Sequence, residues 1–184
     1  MISEKPIDLV NPFIGVDGPG NTLCGPYTPF GLVRLGPDCL PPHPTNGYRS
    51  DRPLQGFTHT HVSGTGGEGR FGNLRLLPYL GAPDDIPEGF ERLEETAAVG
   101  IYGVCLSPGN VRVELTSTAR CGISRFYFPE GSEANILIDA SAVHQFHPLR
   151  TATCLNAEIQ WISNSIFEGH GTFRGGWGHD YPYK

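Results

Sequence analysis

An all-β chain folded as an antiparallel β-sandwich is the fold class this sequence predicts, and three observations carry the prediction. Glycine and proline fill 42 of 184 positions (25 and 17), nearly double the roughly 12% of an average protein. Few stretches therefore escape a helix breaker long enough to form a helical bundle. Short runs rich in β-branched and aromatic residues recur between turn signals, without helical periodicity between them. A hydrophobic content of 38% with 10% aromatics excludes a disordered tail, and the absence of a strict glycine period excludes collagen. No apolar run reaches the roughly 18 residues of a membrane-spanning helix.

Taken in order, residues 10–31 (VNPFIGVDGPGNTLCGPYTPFG) predict a loop, punctuated by glycine or proline at almost every second or third position. Strands are predicted over 32–36, 73–80, 100–106, 111–118, 122–128, 135–139 and 157–163. The run Val111-Arg112-Val113-Glu114-Leu115 alternates apolar and polar, the signature of a half-buried strand. Pro108-Gly109-Asn110 just before it makes 100–118 a hairpin, and Pro129-Glu130-Gly131-Ser132 marks the next turn. No repeat or linker divides the chain, so residues 1–184 predict one sandwich domain. The ending, from Gly175 through Trp177, Tyr181 and Tyr183 to Lys184, neither closes a sheet nor tapers into a polar tail. It predicts a truncated domain with a further strand beyond it.

The formal net charge of −6 is concentrated in one place. Residues 84–95 hold six acids (Asp84, Asp85, Glu88, Glu91, Glu94, Glu95) against Arg92 alone, which predicts a solvated loop or helical turn, or else a functional acidic patch. No basic stripe exists to support a nucleic-acid role. The five cysteines, Cys24, Cys39, Cys105, Cys121 and Cys154, contain no C-x-x-C pair from which a structural zinc site could start. Their odd number points to free thiols in a reducing compartment. Residues 1–6 lack the apolar core of a secretory signal, so a cytoplasmic location follows if Met1 is the native start.

The densest polar cluster is Gly56-Phe57-Thr58-His59-Thr60-His61-Val62-Ser63-Gly64-Thr65-Gly66-Gly67-Glu68-Gly69. Gly64-x-Gly66-x-x-Gly69 has the spacing of a dinucleotide fingerprint, but that motif needs a helix opening within it. Arg70 to Leu74 reads instead as a bend and a strand. On a strand, His59 and His61 would face one side and could grip a cation with Glu68, as in cupin-like barrels. A third reading is a ligand-facing loop, in which His, Thr and Ser donate and accept hydrogen bonds while glycines bring backbone close to a polar ligand. The fourth is a tight loop that satisfies its own turns. From residue chemistry alone the last two stand level. His144 and His147, before Pro148, read as surface or capping histidines, and no Gly-x-Ser-x-Gly nucleophile motif or spaced carboxylate pair occurs.

Several words of the sequence together carry more. Val10-Asn11-Pro12-Phe13-Ile14-Gly15, then Pro29-Phe30-Gly31-Leu32-Val33-x-Leu35-x-Pro37-Asp38, then Gly56 to Gly66 resemble, in order and spacing, the N-terminal domain of glycoside hydrolase family 92, the exo-α-mannosidases. Gly100-Ile101-Tyr102-Gly103-Val104, Glu114 to Gly122 and Arg125-Phe126-Tyr127-Phe128-Pro129 continue the pattern, so the resemblance spans residues 10–177. It implies a β-sandwich paired with a C-terminal (α/α)6 barrel as its partner. It also implies calcium-dependent, inverting removal of terminal mannose from α-mannosides such as N-glycans. The acid, the base and the calcium ligands belong to the barrel, so no catalytic or metal residue is expected in this chain, which alone would be inactive. The sandwich's share of the cleft is implied to include Phe13, Gly15, Gly20, Thr22, His59, His61, Ser63, Gly64, Thr65 and Gly66. Phe13 would stack on a sugar face.

The chain departs from the family pattern in places. Gly20-Asn21-Thr22 stands for the usual Gly-His-Thr, and Cys24-Gly25-Pro26 for Pro-Gly-Ala. Pro44-Thr45-Asn46 replaces a tryptophan before Gly47-Tyr48, and Arg92 replaces a histidine near Glu95. These bear on linkage preference and on the leaving-group subsite. A stand-alone carbohydrate-binding sandwich is the alternative that remains.

Overall fold

The computed structural model describes residues 5–18, 20–41, 47–62, 72–143, 152–176 and 181–184. A single turn of 3-10 helix, Pro6–Leu9, precedes a long loop and then ten strands: β1 (Gly36–Cys39), β2 (Leu54–Thr58), β3 (Arg75–Leu80), β4 (Glu91–Ala98), β5 (Ile101–Ser107), β6 (Val111–Ser117), β7 (Gly122–Tyr127), β8 (Ala134–Asp139), β9 (Thr153–Ser163) and β10 (Ile166–Arg174). One sheet runs β1-β2-β3-β8, a second runs β4-β5-β6-β7, and β9 and β10 form a two-stranded ribbon. Every strand pairing among them is antiparallel.

The two four-stranded sheets bury one shared core. β6 turns Val111, Val113 and Leu115 inward and leaves Arg112 and Glu114 outside, while β5 contributes Tyr102, Val104 and Leu106. Phe57, Leu77 and Tyr79 meet them from the other sheet, and Phe57 approaches Phe126 of β7 with ring centroids 6.5 Å apart. Such aligned packing of two inner faces is the expected resting state of alternating strands. Prolines fall where the ladder tolerates them: Pro37 is on edge strand β1, and Pro78 lies past the single Phe57↔Leu76 pair that joins β3 to β2.

Most predicted strands are present within a residue or two, including the 100–118 hairpin, and residues 10–31 form a loop. Three differences have physical causes. The strand expected at 32–36 begins at Gly36, because Arg34 makes only an isolated parallel bridge to Thr60. Residues 54–58, for which no strand is predicted and of which Gly56-Phe57-Thr58 open the polar cluster, form β2, because Leu54 and Phe57 are core residues. The acidic segment, expected as loop or helical turn, becomes strand β4 from Glu91 onward. Its Arg92 and Glu95 are half-buried, while Glu91 and Glu94 face solvent. Tertiary pairing with β5 overrides the low strand propensity of glutamate there.

Candidate functional site

Antiparallel order brings one end of each sheet together. Pairing register puts the starts of β1 and β3 and the ends of β2 and β8 at one end of their sheet, where Leu35 and His59 pack on Gly122 at the β6–β7 turn of the facing sheet. The joint is visible at His59, whose ring lies so close to Gly122 that a side chain there would collide with it at 2.4 Å. All the described candidate residues belong to this end or to the loop packed on it.

In the 10–31 loop, the Asn11 side chain accepts the Phe13 N–H (3.0 Å) and starts a turn. Gly15 then adopts φ +81°. Thr22 closes the loop onto it, its N–H donating to the Gly15 carbonyl (3.1 Å) and its hydroxyl to the Ile14 carbonyl (2.8 Å). Gly20 sits so tightly on this closure that a Cβ would lie 2.1 Å from the Gly15 oxygen. Gly15, Gly20 and Thr22 are thus brought together as one backbone clasp. The Phe13 ring is half-buried against the core, and its neighbour Ile14 points outward. Beside the clasp, Val10, Ile14, Thr22, Tyr27, Val99 and Gly100 line a groove of about 320 Å³, within the range of small-molecule sites.

At the end of β2 the chain is held by a buried polar cluster. His61 is only 3% exposed. Its Nδ1 is 2.8 Å from the Arg34 carbonyl, its Nε2 is 2.7 Å from Asp38 Oδ1 on β1, and Thr58 Oγ1 lies 3.3 Å from Nε2. Burial alone would push this imidazole toward the neutral form. The charge of Asp38 and its hydrogen bond, with the backbone of Arg34 and Pro37, outweigh that and hold its pKa above the usual histidine value. A charged ring donates both N–H groups inward, one to a carbonyl and one to a carboxylate. His59 behaves oppositely. Burial, and then the nearby His61, push its pKa down, with a backbone hydrogen bond to Gly122 as a partial offset.

Thr60, between the two histidines, closes the base of the glycine-rich segment. Its Oγ1 accepts the N–H groups of Gly72 and Asn73 (both 3.1 Å), and its carbonyl accepts Gly72 N–H as well (3.2 Å). Ser63, Gly64, Thr65 and Gly66 lie outside the described residues, as do Glu68, His144 and His147. Among the described residues no group of three histidine, cysteine or acidic side chains could hold a metal ion.

Residues that sequence reasoning did not single out also shape this end. Asp38 stood in a quoted motif without a role, yet it is the counterion of His61. Tyr27 lines the groove and holds Arg34 over its ring at 5.4 Å. At the opposite end of β4, Arg92, marked in the sequence only as the one base of the acidic segment and as a departure from the family pattern, anchors the 49–52 loop through its backbone carbonyls.

This architecture has close counterparts. An α-mannosidase of Bacteroides thetaiotaomicron from family GH92, solved in complex with mannoimidazole, superposes with a TM-score of 0.84 at 31% identity over 97% of this chain. A GH92 family glycosyl hydrolase, ccman5, matches 93% of the chain at 25% identity and a TM-score of 0.71. An uncharacterized secreted glycosidase of Arthroderma benhamiae is 26% identical over 73% of the chain. The chain spans only about a quarter of the two solved proteins, 24% of each, and 20% of the fungal one. The sequence model of the glycosyl hydrolase family 92 N-terminal domain matches residues 9–184. With the family model matching almost the whole chain and the fold superposing on solved members, the chain belongs to glycosyl hydrolase family 92, as its N-terminal domain.

Proposed function

We propose that this chain is the sandwich half of a calcium-dependent, inverting exo-α-mannosidase acting on α-mannosides such as N-glycans, and that it lines one side of the sugar cleft. The observation that carries this reading is the 31% identical match, over 97% of the chain, to a mannosidase solved with mannoimidazole. That match uses 24% of the mannosidase, which leaves room for a C-terminal (α/α)6 barrel holding the catalytic groups.

The described residues suit a supporting role. An inverting glycosidase sets an acid and a base roughly 6.5–9.5 Å apart across the scissile bond. At this end of the sandwich Asp38 is committed to His61 and Asp139 to Arg75 (2.8 Å). No metal-binding group of three is present among the described residues. They do not fit a calcium site, and in this reading its ligands lie on the barrel.

The Gly15–Gly20–Thr22 clasp keeps one wall of the groove rigid and close. Thr22 Oγ1 donates to the Ile14 carbonyl at this wall, which sets its hydroxyl at the groove's lining. Phe13 backs the wall, since its ring is held against the core. His59, packed on Gly122, and His61, tied to Asp38 and Arg34, hold the end of β2, and Ser63, Gly64, Thr65 and Gly66 are proposed as further sugar contacts.

The test is an assay of the 184-residue chain on aryl α-mannosides and mannobiose. Absence of turnover is expected, and turnover by this chain alone would sink the proposal. Tight mannose binding by the isolated chain would move the assignment to a stand-alone carbohydrate-binding sandwich.

A further inference from the structure

One turn at this end has a conformation and an exposure that the sandwich itself does not use. Gly31 N–H donates to the Thr28 carbonyl (3.0 Å), closing a β-turn with Pro29 second and Phe30 third. Phe30 has φ +59°, in the region that turns ordinarily fill with glycine or asparagine at that position. A bulky aromatic there is an outlier. Its side chain nevertheless makes no use of the fold, at 101% relative exposure. The turn is firmly placed: Leu32 N–H donates to the Ala119 carbonyl (2.7 Å), and a Cβ on Gly31 would lie 2.6 Å from Thr28 Oγ1 and 3.3 Å from the Ala119 backbone. Among the described residues the buried Thr28 hydroxyl has no hydrogen-bond partner. Leu32 and Ile123 are also exposed. Ile123 pairs with Thr116, which is bonded to Gly100 on the groove's rim (2.8 Å). The apolar knob, beside the β6–β7 turn, and the groove, beside the β4–β5 turn, therefore lie at the same end of the sandwich.

We infer that the Thr28–Leu32 turn is the docking anchor of the sandwich, with Phe30 as a knob that inserts into an apolar socket on the catalytic remainder of the mannosidase. The inference rests on the reading under Proposed function. The occupant follows from length: 97% of this chain corresponds to 24% of the solved mannosidase. In that protein, then, the sandwich shares a chain with about three times its own length of further polypeptide. Aromatic anchors seated in desolvated pockets dominate such contacts. A backbone cost at Phe30 is tolerable where burial of the ring on docking repays it.

The test compares Phe30→Ser, Phe30→Gly and Phe30→Leu, introduced at the chromosomal locus with the native enzyme purified without denaturation, against the same changes in the 184-residue chain. In the short chain, Phe30→Gly relieves the positive φ and leaves the melting temperature equal or raised by roughly 2–4 °C. In the native enzyme, Phe30→Gly and Phe30→Ser lower the urea midpoint for loss of activity and weaken domain association by about tenfold or more, while Phe30→Leu retains most of it. These opposite signs separate docking from folding.

A urea midpoint for loss of α-mannosidase activity that is indifferent to Phe30→Ser overturns the anchor. So does a raised KM with unchanged assembly, which would make Phe30 a sugar platform. A dimer of two 184-residue chains that Phe30→Ser dissociates also overturns it. Absence of any α-mannosidase activity from the wild-type enzyme sinks the underlying reading instead.

Discussion

Asp38 Oδ1 lies 2.7 Å from His61 Nε2 with both side chains almost completely out of solvent, at 1% and 2% exposure. Strand β1 and the stem of the glycine-rich segment are therefore joined by an ion pair inside the sandwich. Breaking such a pair from one side leaves an uncompensated charge, at about 3–5 kcal/mol. Asp38→Asn and His61→Gln should each lower unfolding stability by that order. The double variant should cost clearly less than the two single costs combined. Urea denaturation of the four proteins measures the coupling, and additive costs would show that the pair does not act as a unit.

The two histidines make opposite contributions to stability as pH changes. His61 has a raised pKa in the folded state, so its contribution is fully present below the unfolded value of about 6.5. It is lost as pH rises through the folded value. His59 has a lowered pKa, so stability linked to it is present above about 6.5 and is lost as pH falls toward its folded value. His61→Gln should flatten the alkaline side of a stability–pH profile. It should also partly relieve the acid side, because the charge of His61 is one cause of the His59 shift. His59→Gln should flatten only the acid side. Thermal melts from pH 5 to pH 9 distinguish these outcomes.

The clasp in the first loop predicts different tolerances at two glycines four residues or fewer from its centre. Gly20→Ala places a Cβ 2.1 Å from the Gly15 oxygen, so the loop must open, at about 1–3 kcal/mol. Gly18→Ala meets open space and costs only the strain of its φ of +63°, about 1 kcal/mol. Chemical denaturation ranks the two variants. Equal costs would mean that the loop yields without resistance.

Much of the fold was legible in the sequence because alternation and turn residues are local signals. Val111 to Leu115 announced its inner and outer faces, and Pro108-Gly109-Asn110 announced the hairpin. β2 was not legible, since Gln55-Gly56 reads as loop until the pairing of Phe57 with Pro37 and Leu76 is known. β4 was hidden by its acids: only the bulge between Arg92 and Glu94 explains how Arg92 and Glu95 both turn inward. At the candidate site the glycines and Thr22 could be picked out by type, but their mutual contacts could not. The Asp38–His61 pair joins positions 23 residues apart in different strands, and no motif encodes that. The exposure of Phe30 is likewise a property of the assembled surface.

Arg92 connects this architecture to the first loop and carries the last prediction. Its guanidinium donates to the carbonyls of Arg49 (3.0 Å), Ser50 and Arg52 (2.8 Å), lies 5.4 Å over the Tyr48 ring, and faces Glu95 at 3.7 Å. Glu95 in turn accepts the hydroxyls of Tyr48 and Tyr102 (3.1 and 2.6 Å). The loop so held passes the constraint on, because Ser50 donates its N–H and its hydroxyl to Asp17 beside the clasp. One planar fork serves several acceptors spread over four residues, which an ammonium group at a single point cannot do. Arg92→Ala should cost about 2–4 kcal/mol, with Arg92→Lys recovering less than half. Hydrogen exchange gives the sharper readout: amides of residues 47–52 should lose protection in both variants, and that of Thr22 should follow. Protection at Thr22 that survives while residues 47–52 open would show that the Ser50–Asp17 link does not transmit the constraint.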